Sequence, residues 1–364
     1  MKNTASCILG RFNSAVSKVS IFLLFALSIV CNTSLAETIQ QVSAGWEHTV
    51  ALKSDGTIWT WGVNKFGQLG DGTTIAKSLP VQVVGLLEVV TVDGGEGHTL
   101  AAKLDGTVWA WGLNNYGQLG DATTENKNIP VQIKGLLDII AVACGGNHSV
   151  VLDRNGDVWA WGANEYGQLG IGVESSLGSK RNKPEKVNGL SGIIALACGG
   201  SHTIALSKDG EVYGWGCNQR GQIGDGTHIK RTAPVKVNGL SGIIAITSGG
   251  ALGGDTNSHN LALKSDGTVW AWGSNSDGQL GDGTDIDRNT PVQVGGLSHV
   301  IAIAGGGAHS VALKSDGTVW AWGCNWAGQL GIGIPFSAKN KPIQVKYLSN
   351  IITIASGWMH SIAE

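Results

Sequence analysis

Charge and proline are scarce in this chain. Only 14% of its 364 residues are Asp, Glu, Lys or Arg, and 7 are proline. So few charges exclude a segment kept unfolded by self-repulsion, and so few prolines exclude a polyproline rod. No apolar run reaches the roughly 18 residues a membrane-spanning helix needs. The six cysteines form no CxxC and no metal-ligand spacing, and there is no GxSxG elbow, so zinc knuckles, dithiol redox chemistry and a hydrolase nucleophile have no footing. Phenylalanine and tyrosine are rare at 5 and 4, whereas tryptophan reaches 14 and glycine 56. Glycine at that level without a collagen triplet points to many tight turns.

Residues 1–36 stand apart in composition. They carry Lys2, Arg11 and Lys18 and no acid, then an apolar stretch over 19–30, then Ser34-Leu35-Ala36 with small residues where signal peptidase needs them. This layout predicts a cleaved secretory signal, with a membrane link only through that segment if it stays uncleaved, and Cys31 offers a lipidation alternative. Without residues 1–36 the formal net charge moves from −2 to about −5, which gives little means of neutralising phosphate; nucleic acid is not expected as a partner. Residues 37–364 are read as one domain of a secreted, periplasmic or cell-surface protein.

That domain repeats one phrase. HSVALKSDGTVWAWG at His309 recurs from His48, His98, His148, His202 and His259, and a last copy breaks off after His360. Each copy alternates apolar residues around Asp-Gly or Asn-Gly, the signature of a β-hairpin. The spacing of about 50 residues is that of a four-stranded propeller blade, which cannot bury its own apolar face and must stack on neighbours. Ahead of each hairpin lies a run such as LDIIAVACGG, expected to be the innermost strand and buried on both faces. After it come NxxGQLGDGT and PVQV, read as an outer strand whose first residue is proline. In the hairpin's second strand Trp-x-Trp puts two rings on one blade face, with Trp61, Trp111, Trp161, Trp215, Trp272 and Trp322 in the second place.

The motif HxxALxxDGxVxxWGxNxxGQLGxG resembles the regulator of chromosome condensation repeat family, and similar repeats occur in secreted bacterial inhibitors of β-lactamase. The resemblance covers nearly all of residues 39–364 and implies a seven-bladed, all-β propeller. The copies supply 26 strands, against 28 for seven blades and 24 for six. The expected fold is six complete antiparallel blades and a partial seventh in a seven-blade-like ring, with a six-blade ring or a truncated reading frame as alternatives. Family resemblance also carries an alternative function, guanine nucleotide exchange on a small GTPase.

Repetition argues against chemistry at the repeated residues. His48, His98, His148, His202, His259, His309 and His360 are read as hydrogen-bonding corner residues, because copies on different blades diverge and cannot share one ion. The Asp of each DGT suits its turn, and Asp282, Asp285 and Asp287 lack calcium-loop spacing. No catalytic, cofactor or metal site is expected. What the repeat leaves unexplained are three uneven loops: 171–183 with Glu174, Lys180, Arg181 and Lys183; 250–258 with Asp255 and Asn257; and 332–341 with Phe336 and Lys339. Long irregular loops on a rigid scaffold are where binding concentrates. The expected function is therefore a non-enzymatic binding propeller for a protein or glycan partner.

Overall fold

The computed structural model describes residues 38–173, 180–250 and 257–364. These hold 26 strands and no helix. Six sheets have four strands each and a seventh has two. In the first blade β1 (Ile39–Ala44), β2 (His48–Lys53), β3 (Ile58–Gly62) and β4 (Lys77–Gln82) pair antiparallel in chain order. Blades 2 to 6 repeat this over 89–133, 139–186, 193–236, 243–293 and 300–344, and blade 7 consists of Ile354–Ser356 and Ser361–Ala363. The ring thus has six full blades and a half-blade.

The hairpins form as their turn chemistry dictates. Asp55 Oδ1 accepts from the backbone N of Thr57 at 2.9 Å and from its hydroxyl at 2.7 Å, and Gly56 takes φ 79°, a conformation side chains resist. Leu52 then faces Ile58, both fully buried.

Two details depart from expectation. The outer strand begins three residues before the proline, so Pro80 is not its first residue. The pairing shifts register between Thr60 and Gly62, and Pro80 sits in the bulge this creates, where no backbone donor is needed. For the same reason Lys180, Arg181 and Lys183 belong to the strand Lys180–Lys186, and Lys339 to Lys339–Gln344, rather than to loops. The inner strands, expected to be buried on both faces, are only partly so: in Ile193–Cys198 only Ile193 is buried and the rest are half-buried. Their alternate residues line a central channel instead.

Adhesion lies between blades. Val50, Leu52 and Ile58 of blade 1 pack with Val92, Ala101 and Trp111 of blade 2 in one buried cell, and similar cells fill the next joints. The second Trp of blades 2 to 6 is wholly buried. Its indole N–H donates to the carbonyl of the preceding blade's Gln: Trp111 to Gln68 at 2.9 Å, Trp161 to Gln118 at 2.8 Å, Trp215 to Gln168 at 2.9 Å, Trp272 to Gln222 at 2.9 Å and Trp322 to Gln279 at 2.8 Å. Ser149 donates its hydroxyl to the same carbonyl as Trp161, and Thr99, Thr203 and Ser310 do the equivalent.

Each repeated histidine reaches forward to the side chain in that place, a hydroxyl in every joint but one. His48 Nε2 lies 3.1 Å from Thr99 Oγ1, His98 3.0 Å from Ser149 Oγ, and His148 3.0 Å from Thr203 Oγ1. His202 reaches Asn260 Oδ1 at 2.8 Å, His259 reaches Ser310 at 2.8 Å, and His309 reaches Ser361 at 2.9 Å. Because these hydroxyls spend their hydrogen on the Gln carbonyl, the imidazole must be the donor through Nε2. His360 closes the circle on Thr49 at 3.4 Å, and the Trp46 and Trp358 rings meet across the same joint with centroids 4.5 Å apart. Trp61, on the blade 7 side of blade 1, has no such Gln carbonyl among the described residues and is only half-buried.

Candidate functional site

Antiparallel order decides which loops share a face. The turn from inner strand to hairpin and the connection from β3 to β4 leave at one end of each blade, here the upper face; the Asp-Gly turns and the links between blades leave at the other. The described ends of all three uneven segments therefore leave from the upper face. Glu174 and Asp255 lie outside the described residues.

The remaining members are separated around the rim. Lys180 pairs with Ala163 across the sheet and its Nζ donates to Asn115 O at 3.3 Å, while Arg181 Nε contacts Glu185 Oε1 at 2.7 Å. Lys183 lies in the same edge strand. Asn257 stands over its own blade's turn, its Oδ1 3.5 Å from Ser276 Oγ. Phe336 is 71% exposed and meets the edge of Trp326, itself 58% exposed, at 6.3 Å between centroids, and Lys339 Nζ donates to Ser337 Oγ at 2.6 Å. Blade 6 thus carries an exposed aromatic pair beside a lysine. Asp282 bonds Arg288, Asp287 bonds Arg220 and Asp285 accepts from Asn340, so these acids are engaged separately.

A second feature, not found by reading the repeat, lies at the ring's centre. The inner strands enclose a channel of about 350 Å³ whose lining includes Asp93, Glu96, Cys144 and Cys198, with Trp46 and Trp358 at its upper mouth. Asp93 Oδ1 accepts from Ser43 Oγ at 2.5 Å and Oδ2 from the backbone N of Cys144 at 2.8 Å. Burial nevertheless holds its carboxyl up to about 6, against the lowering effect of these donors. Burial likewise raises Glu96 to about 7, with Glu47 adding to the shift and Lys65 opposing it. Both channel thiols are pushed up by burial and by Asp93, so neither is an activated nucleophile. All four described cysteines are free. The available signal was small: Asp93 stands where other copies have Ala143, Ala197 or Ala304, and Trp46, Glu96 and Trp358 where others have Gly146, Gly200 or Gly307.

Six antiparallel blades and a half-blade, stitched by His, Gln and Trp around a narrow channel, define a repeat-built β-propeller whose variable surface is one rim. The chain belongs to the RCC1-like domain family: that family's model matches residues 10–254, and the regulator of chromosome condensation (RCC1) repeat matches 266–313 and 316–363. It is 36% identical over 122 residues to the human probable E3 ubiquitin-protein ligase HERC6 and 33% identical over 117 residues to the ultraviolet-B receptor UVR8 of Arabidopsis thaliana. Each alignment covers 32% of this chain but only 12% and 26% of those relatives, so the chain matches a minor part of their length. Among solved structures, human WBSCR16 is 26% identical with a TM-score of 0.78, over 90% of this chain and 87% of that one. Prp20p of Saccharomyces cerevisiae, a structure described with its binding to Gsp1p and histones, shares the fold at 24% identity and a TM-score of 0.76, over 89% and 81%.

Proposed function

We propose that this chain is an exported, non-enzymatic propeller that binds a protein partner through its upper face. One observation carries the reading: the repeated His, Asn and Asp side chains are taken up in turns and joints, while the exposed Trp326–Phe336 pair and the described ends of the uneven segments lie on a single rim. Exposed aromatics beside a cation are the side chains that dominate protein interfaces when buried. Export rests on the layout of residues 1–36, and a glycan partner would use the same aromatics. Protein relatives such as Prp20p, described with Gsp1p and histones, support protein binding as the general mode.

The test is cross-linking of the mature chain to surface or secreted proteins, with the cross-links mapped and the recovered partner titrated. Phe336→Asp and Trp326→Ala should each weaken that complex at least tenfold, about 1.4 kcal/mol or more. Leu104→Asp, on the lower face, should leave it unchanged. Weakening by Leu104→Asp alone would place the interface on the wrong side, and accelerated guanine-nucleotide release from a small GTPase would favour exchange instead.

A further inference from the structure

The central channel carries charge of one sign only. Asp93 and Glu96 are the carboxylates in its lining, and no Lys, Arg or His lines it among the described residues. Its upper mouth is lopsided as well. Blades 3, 4 and 6 offer Gly146, Gly200 and Gly307 there, while blades 1, 2 and 7 offer Trp46, Glu96 and Trp358. The backbone N of Trp46 donates to Gly95 O at 3.1 Å, which sets Glu96 directly beside Trp46, and the Trp358 ring lies against Trp46 at an interplanar angle of 54°.

Two polar atoms at this mouth are buried with no partner: Trp46 Nε1, a donor, and Glu96 Oε2, an acceptor. A buried donor or acceptor left unsatisfied is costly, so a ligand that meets both is favoured. Lys65, the cation that acts on Glu96, rests its Nζ 4.8 Å from the Phe66 ring centroid. It lessens the negative field on Glu96 without removing it.

We propose that this mouth binds an organic ammonium at one end of a short alkyl chain whose other end carries a carbonyl. The Glu96 carboxylate accepts from the ammonium, the Trp46–Trp358 pair flanks its alkyl carbons and attracts its charge, and the Trp46 indole N–H donates to the carbonyl. An anion is opposed by Glu47, Asp93 and Glu96 together. Asp93 spends its oxygens on Ser43 and on the backbone N of Cys144, which leaves Glu96 as the one carboxylate in the lining free to meet a ligand among the described residues. The site needs no protein partner on the rim, so its test stands apart from the interface reading.

Lysine amide, n-butylammonium and 1-butanol are titrated into the purified full chain by calorimetry at pH 8 and constant ionic strength. Lysine amide should saturate one site, and butanol should bind at least tenfold more weakly. Glu96→Gln should weaken both amines at least tenfold, whereas Trp46→Phe, which keeps a ring but loses the N–H, should weaken lysine amide several-fold more than n-butylammonium. Thermal unfolding of both variants checks that the ring is intact, and Glu96→Asp, which keeps the charge, should retain amine binding if Glu96→Gln does not fold. The proposal is overturned if lysine amide fails to saturate by about 0.1 M, a Kd too weak to call a site, if butanol binds as tightly, or if folded Glu96→Gln binds the amines unchanged.

Discussion

Trp161→Ala should lower the free energy of unfolding by about 3–5 kcal/mol, whereas Trp61→Ala, at the same place in the repeat, should cost less than half as much. Trp161 is wholly buried in the cell between blades 2 and 3 and donates to Gln118 O at 2.8 Å. Its removal leaves a cavity the size of an indole and takes one of two donors from a buried carbonyl. Trp61 faces the half-blade, where no GQLG turn supplies a carbonyl, and part of its ring already meets solvent. Urea denaturation of the two variants beside the parent chain measures the difference. Equal losses would mean that the blade 7 side of blade 1 is covered in solution, contrary to the described strands.

Acid should open the ring well above the pH at which exposed carboxylates titrate. Burial, aided by neighbouring histidines, holds His98, His148 and His309 down to about 3, and burial with His360 holds His48 to about 4; His259 also lies at about 3, chiefly through burial. A histidine whose folded pKa lies below its ordinary 6.5 stays neutral in the native ring while the unfolded chain takes up its proton. Stability is therefore intact above pH 6.5 and is lost as pH falls below it. At pH 5 each of these five sites costs about 2 kcal/mol relative to pH 7.

Asp93 and Glu96 act in the opposite sense, because their raised carboxyls take up protons in the folded state first. Between pH 6.5 and 5 they return only about 2 kcal/mol, with the share of partly exposed Glu96 discounted for solvent screening. Urea midpoints followed by far-UV circular dichroism should drop steeply between pH 6.5 and 5. A midpoint constant down to pH 4.5 would mean that the imidazoles gain protons without breaking the joints.

The fold was legible because the repeat states it many times. Strand number, the hairpin turns at Asp55 and its copies, and the half-blade at 354–363 all follow from local alternation and period. What was not legible came from pairings between repeats. A strand containing Pro80 was placed too late because the bulge that tolerates it depends on Gly62 and Lys77 across the sheet. The inner strands read as doubly buried because Ile, Val and Ala look the same against a neighbouring sheet and against a narrow channel. On the rim, Phe336 stood out by length and composition of its loop, but Trp326 looked like one more tryptophan in a chain full of them. The channel mouth was hidden for the opposite reason: Trp46, Glu96 and Trp358 are single substitutions inside well-matched copies, and only the ring brings blades 7, 1 and 2 together.

The histidine links also differ in how much chain each of them closes. Six of the seven join residues 51 to 58 apart, so each blade can dock on the one just made. The link from Thr49 to His360 spans 311 residues and cannot form until the others have curved the chain back on itself. Closure along the ring is local at six joints, and the one long-range closure falls at the joint where Trp61 meets the half-blade.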